Sequence, residues 1–109
     1  MATPSGSRDG IPTALVTMSP RALADAVIDG LPTGTFDFTI ASEEVERGKP
    51  HPEPYLRAAA ALDVDPMRCL ALEDSRPGIA SALAAGCDVR SVGPLAGTIA
   101  GAPALVNVT

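Results

Sequence analysis

The chain has 109 residues, enough for one domain around a single core. Its 13 Asp and Glu outweigh 8 Lys and Arg for a formal net charge of -5, no basic cluster interrupts that acidity, and aromatic residues amount to 3%, which excludes a protein that tracks a nucleic-acid backbone or stacks bases. The first twelve residues, MATPSGSRDGIP, hold no apolar h-region, and nowhere do 18 apolar residues run together, so a soluble cytoplasmic protein without signal peptide or membrane span is expected.

Residues 1–12 read as an N-terminal tail, 13–94 as the core domain, and 95–109 as a C-terminal tail or short extra strand. Apolar runs of strand length alternate with segments of helical period, the pattern of repeated βαβ units and a parallel sheet. Ala14-Leu15-Val16-Thr17 reads as the first strand. Ser19 then reads as a helix N-cap with Pro20 at the first helical position, and Leu23, Ala24, Val27 and Ile28 form an apolar stripe that Gly30 and Pro32 end. Phe36 to Ile40 is a second strand. After Gly48-Lys49-Pro50 a helix should start near Glu53 and run through Leu56, Ala59, Ala60 and Leu62, with Asp63 near its end. Cys69 to Leu72 is the third strand, and Arg76 to Ala85 is a helix expected to turn Ile79, Ala80, Leu83 and Ala84 to the sheet before Gly86 at the C′ position. Val89 to Val92 and, near the end, Ala104 to Val106 complete the strands. Cys69 and Cys87 lack a C-x-x-C spacing and read as small buried thiols.

In an open α/β sheet, ligands bind beyond the carboxyl ends of the strands, and three features fall there. At Val16-Thr17-Met18-Ser19-Pro20 a hydroxyl ends a strand and backbone N–H groups of a helix start follow, a small anion cradle; the plainer reading makes Ser19 a cap and Thr17 a strand residue. At Leu72-Glu73-Asp74-Ser75 two acids follow an apolar strand, which should put both at the mouth of the sheet. There they suit Mg²⁺, or they simply favour a helix N-terminus. Lys49 sits between a glycine that permits an unusual turn and a proline that fixes the exit, a directed point charge suited to a phosphoryl group. His51, the chain's one histidine, reads as a solvated loop residue.

Together these segments resemble the haloacid dehalogenase superfamily, in particular its subfamily of β-phosphoglucomutase and sugar-phosphate phosphatases. Val16-Thr17-Met18-Ser19 resembles the family's second motif, Gly48-Lys49-Pro50-His51-Pro52-Glu53-Pro54-Tyr55 its third, and Leu72-Glu73-Asp74-Ser75 its fourth. The resemblance runs from about Gly10 to Pro94. It implies a three-layer, Rossmann-like α/β core with a parallel sheet and flanking helices. It further implies phosphate binding by Thr17, Met18, Ser19 and Lys49, catalytic roles for Thr17 and Lys49, and Mg²⁺ ligation by Asp74 directly and by Glu73 through water or a neighbouring bond. The substrate implied is a small phosphorylated metabolite.

The family's first motif, an apolar strand followed by Asp-x-Asp-Gly-Thr/Val that supplies the nucleophile and the acid/base, is absent; Asp9-Gly10 is its only remote counterpart. The helical cap inserted after that motif is absent as well. The expectation is therefore a truncated core, a Mg²⁺-dependent phosphohydrolase or phosphotransferase by family that is inactive alone. The alternative is a non-catalytic module that binds phosphate and Mg²⁺ or a protein partner. In the family the first-motif strand lies between those ending at Thr17 and Leu72. Without it the two must pair directly, take a strand from another chain, or leave backbone groups unpaired, which favours self-association or a complementing N-terminal segment.

Overall fold

The alternation of apolar runs and helices resolves, in a computed structural model describing residues 10–92 and the main chain of Leu105–Val106, into five parallel strands and three α-helices among the described residues. In chain order they are β1 (Ala14–Val16), α1 (Arg21–Asp29), β2 (Phe38–Ile40), α2 (Glu53–Leu62), β3 (Leu70–Glu73), α3 (Arg76–Ala85), β4 (Asp88–Ser91) and β5 (Leu105–Val106). The strand order is β2-β1-β5-β3-β4, and every pair is parallel. The Rossmann-like class expected from the sequence is the class observed. Expectations for residues 1–9, for Gly93, Pro94 and the 95–104 tail, and for 107–109 lie outside the described residues.

The centre of the sheet departs from all three sequence-level alternatives. The strands ending at Val16 and Glu73 neither pair directly nor stand apart, because the chain's own β5 lies between them, with Val106 registered on Leu15 and Leu72 and Leu105 on Ala71. The two outer units, β1-α1-β2 and β3-α3-β4, run outward from that centre in opposite directions, and the right-handed crossover rule places α1 and α3 on opposite faces. Helix α2 packs on β1, β2 and α3, so the larger core lies on the α2/α3 face, where Ala14, Val16, Ile40 and Ala71 meet Tyr55, Ala58 and Ala82.

Several local expectations are corrected. Helix α1 is capped by Pro20 in extended backbone rather than by Ser19, and its Arg21 N–H donates instead to Glu43 Oε1 at 2.7 Å. Of its apolar stripe only Ala24 is buried, while Leu23 and Val27 stay 55% and 48% exposed. Helix α2 begins and ends where expected, closed by Asp63 in the left-handed region, yet it buries Pro54, Tyr55, Ala58, Ala59 and Leu62 and leaves Leu56 exposed. Helix α3 turns in its small residues, Gly78, Ser81, Ala82 and Ala85, rather than Ala80, Leu83 and Ala84. A face of small side chains lets the helix lie close, which an outward Leu83, 59% exposed, does not oppose. Gly86 closes α3 at φ 97, a conformation that favours glycine. Cys69 and Cys87 are buried free thiols as expected, and burial pushes the Cys87 thiol up to about 12.

Candidate functional site

All three motif segments end at the carboxyl edge of the sheet, and the local bonding explains how each is held. Beyond β1, the buried Thr17 continues the ladder, donating its N–H to Ile40 O at 3.0 Å, and its Oγ1 accepts from Ser19 N at 3.1 Å. That side-chain turn sets the path of Met18 and Ser19. Ser19 O in turn accepts from Ser42 N, tying this turn to the segment after β2.

Lys49 reaches the same edge from a loop fixed at several points. The Glu53 carboxylate accepts from Glu46 N and Arg47 N at 2.9 and 3.0 Å and from Arg57 Nε at 2.7 Å; these bonds, the Glu46 amide foremost, hold its carboxyl below the ordinary range. His51 is a structural part of this loop rather than a solvated bystander: its Nδ1 accepts from Glu53 N at 3.0 Å at the start of α2, and its carbonyl accepts from Ser81 Oγ of α3 at 2.6 Å. Gly48 does not adopt a left-handed turn. It allows a close approach of the second-motif and third-motif segments, since a Cβ there would lie 2.9 Å from Met18 Sδ and that flexible side chain would have to shift.

The ammonium of Lys49 donates to Val16 O at 3.0 Å and to Glu73 Oε2 at 2.7 Å, bridging the ends of β1 and β3. It also lies 5.5 Å from the centroid of the Tyr55 ring. The side chains of Lys49 and Glu73 are 3% and 0% exposed, so this is a buried ion pair. Burial, opposed by Glu73, pulls the Lys49 pKa below its ordinary value. Tyr55 OH donates to the same carboxylate oxygen, and burial together with the Glu73 charge pushes the phenol far up and keeps it protonated.

Glu73 therefore does not stand at the mouth of the sheet. Strand β3 runs one residue past the expected Leu72, and its alternation turns Glu73 to the same face as Ala71, beneath the first turn of α3. A Cβ at Gly78 would come within 1.8 Å of Glu73 Oε1, so glycine is the side chain that this carboxylate tolerates above it. Oε1 is buried and has no hydrogen-bond partner among the described residues. Asp74, the next residue, is exposed at the carboxyl edge, and Ser75 caps α3 by accepting from Gly78 N at 3.2 Å.

The structure thus brings Thr17, Lys49 and the buried Glu73 together around the ends of β1 and β3, with the exposed Asp74 next in the chain at the carboxyl edge. Sequence reasoning gave no structural part to Tyr55, Ser81 or the Glu53 carboxylate. Tyr55 carried a usable signal, being the one tyrosine of a chain poor in aromatics and set on the buried face of an amphipathic helix. The one Asp-x-Asp of the sequence, Asp63-Val64-Asp65, lies between α2 and β3 at the amino edge, opposite this site. Among the described residues no helix is long and apolar enough to cross a membrane, and no group of three His, Cys, Asp or Glu is placed to hold a metal.

A family model described as haloacid dehalogenase-like hydrolase matches residues 7–86. Hexitol phosphatase A of Escherichia coli (strain K12) is 42% identical over 94 residues, covering 84% of this chain and 43% of that protein. Protein CbbY of Rhodobacter capsulatus is 45% identical over 84 residues, covering 73% and 37%. The solved structure of CbbY from Rhodobacter sphaeroides in complex with phosphate superposes with a TM-score of 0.74 at 34% identity, over 90% of this chain and 47% of that one. The chain spans less than half the length of these relatives.

Proposed function

From its membership of the haloacid dehalogenase-like hydrolase family, we propose that this chain carries the phosphate- and metal-binding part of a site for hydrolysis or transfer of phosphate monoesters, acting on a small phosphorylated metabolite. The observation that carries this reading is the Lys49 bridge. A lysine from a loop between β2 and α2 is brought to the carboxyl ends of both β1 and β3, beside Thr17 and next to the acid pair.

In this reading Thr17 and the Met18 and Ser19 backbone form the cradle for phosphoryl oxygens, while Lys49 supplies a fixed positive charge at its floor. Glu73, held by Tyr55 and sealed by Gly78, orients Lys49 rather than facing solvent. The residues fit Mg²⁺ in one mode only. With Asp74 exposed and Glu73 buried, an all-protein cage is not available, but Mg²⁺ characteristically takes one or two carboxylates and completes its shell with water and phosphate oxygen, which Asp74 matches. Magnesium bound there would neutralise charge on the phosphoryl group.

No strand ending in Asp-x-Asp-Gly-Thr/Val occurs in these 109 residues, so the cradle has neither covalent nucleophile nor proton shuttle, and turnover by the chain alone is expected to be absent. The test is an assay of the purified chain and its Asp74→Asn variant with a generic aryl phosphate and Mg²⁺, with thermal melting followed in both. The expected result is no turnover, with melting raised by Mg²⁺ plus inorganic phosphate only when Asp74 is intact; at a hundredfold excess over Kd the gain is about 2.7 kcal/mol. Turnover abolished by Asp74→Asn would overturn the inactivity, and melting unmoved in both proteins would overturn the phosphate site.

A further inference from the structure

Strands β2 and β4 stand at the two ends of the sheet among the described residues, and the ladder bonds show which of their backbone groups face outward. Phe38 N donates to Thr13 O, and Ile40 O accepts from Thr17 N, so Phe38 and Ile40 turn their backbone groups to β1. Alternation then points those of Thr39 and Ala41 away from the sheet. In an edge strand such groups form a row on which a further strand can pair.

Thr39 O and Ala41 N both have partners already. Arg21 Nη2 donates to Thr39 O at 3.2 Å, and Glu44 Oε1 accepts from Ala41 N at 2.9 Å. The same Nη2 and Oε1 lie 2.6 Å apart, and Arg21 Nε donates to Glu44 Oε2 at 2.8 Å. Arg21 Nη1 adds bonds to Thr39 Oγ1 and Asp25 Oδ1, each at 3.0 Å. One residue of a parallel neighbour would donate its N–H to Thr39 O and accept from Ala41 N. The ion pair presents one donor and one acceptor at those two places. With its side chains 29% and 38% exposed, such a pair contributes little to stability by its charges alone, so what it occupies matters more than what it gains. The far edge carries a lighter version. Asp88 N and Val92 N donate to Cys69 O and Glu73 O, which turns the backbone of Val89 outward, and Val89 O accepts from Arg90 Nη1 at 3.2 Å.

We propose that the Arg21–Glu44 pair is an edge clasp, which fills the place of a further strand beside β2 and keeps the sheet from continuing into a second copy of this chain. A second copy is the strand donor that the geometry favours. Thr39 O and Ala41 N are spaced for a parallel neighbour, and the β4 edge of another molecule offers four residues in that sense, covered at Val89 O by Arg90 alone. The inference uses neither Lys49 nor Asp74, so it does not depend on the phosphate-site reading.

The test is sedimentation equilibrium of the full chain, its Arg21→Ala variant, and Arg21→Ala combined with Thr39→Pro. Melts followed by circular dichroism fix a temperature at which each protein is folded, which separates native association from aggregation of unfolded chains. Uncovering two backbone groups should strengthen self-association of Arg21→Ala roughly tenfold or more over the unmodified chain. Its mean mass should keep rising with concentration, because β2 on β4 is a head-to-tail contact that does not close. Proline at position 39 places its ring on the outward side, where no ladder bond to β1 is lost, and should return association to the unmodified level. Should Arg21→Ala fail to fold, Arg21→Gln keeps one amide donor for Thr39 O without the ion pair and should shift association in the same direction. Association of the folded arginine variant no stronger than that of the unmodified chain, or undiminished by Thr39→Pro, would overturn the proposal.

Discussion

At the scale of single residues, the site is organised by one buried ion pair with a hydroxyl on its flank. Taking two charges out of water is costly, and the Lys49–Glu73 contact offsets that only while both partners are present. Lys49→Met should therefore lower the unfolding free energy by about 3–5 kcal/mol, against a total of only about 5–15 for a domain of ordinary stability. The double variant Lys49→Met with Glu73→Gln should regain part of the loss, because no buried charge is stranded. Urea denaturation of the three proteins checks this, and a single-variant loss under about 1 kcal/mol would place the pair in a far wetter setting than the one described. Acid acts elsewhere. Arg21 bonded to Glu44, and the Glu46 amide bonded to Glu53, hold both carboxyls below their ordinary value of 4.5. Below that value the unfolded chain binds more protons than the folded one, so stability rises with pH through this window and falls as pH drops through the depressed values. Glu53→Gln should flatten the decline of melting temperature between about pH 5 and pH 3; an unchanged slope would mean that the loop bonds of Glu53 carry none of it.

Elements were legible where punctuation was strong and misread where a face had to be chosen. Proline beside the start of α2 and Gly86 behind α3 marked those helix ends, because such signals act through bonds local in sequence. The inward face of α3 was not legible in the same way. Its apolar residues spread around the axis, and size rather than hydrophobicity decided, since Gly78 has to pass over Glu73 and Ala82 is fully buried in the core. Glu73 itself was misplaced because a carboxylate at the end of an apolar run reads as the first residue outside; its partners Lys49 and Tyr55 come from segments 24 and 18 residues away. Overpacking of the α3 face follows. Ala82→Leu should cost roughly 1–3 kcal/mol by forcing a fully buried position, while Leu83→Ala, one residue on and 59% exposed, should stay within about 0.5 kcal/mol. Equal losses in thermal melts would show that α3 is rotated from the orientation described.

For the molecule as a whole, the decisive feature is that the central strand follows the other four in chain order among the described residues. Leu15 pairs with Val106 across nearly the whole chain, and such a contact forms only after a large loop has closed. The two outer units, by contrast, are local and joined through α2, which packs on β1, β2 and α3. No sequence signal announced this arrangement, since a short apolar run near a terminus does not specify its neighbours. It follows from the demand that the buried inner edges of β1 and β3 find backbone partners. Among the described residues, the backbone pairing that joins the two halves of the sheet runs through Leu105 and Val106. In native-state hydrogen exchange the slow amides of β1 and β2 should report the same opening free energy as those of β3 and β4, because β5 joins the halves. In Val106→Pro the two sets should separate, each half opening on its own and β1 with β2 becoming the weaker, since that unit pairs through three residues against four. If the sets stay equal in the variant, α2 alone couples the halves and β5 contributes nothing to cooperativity.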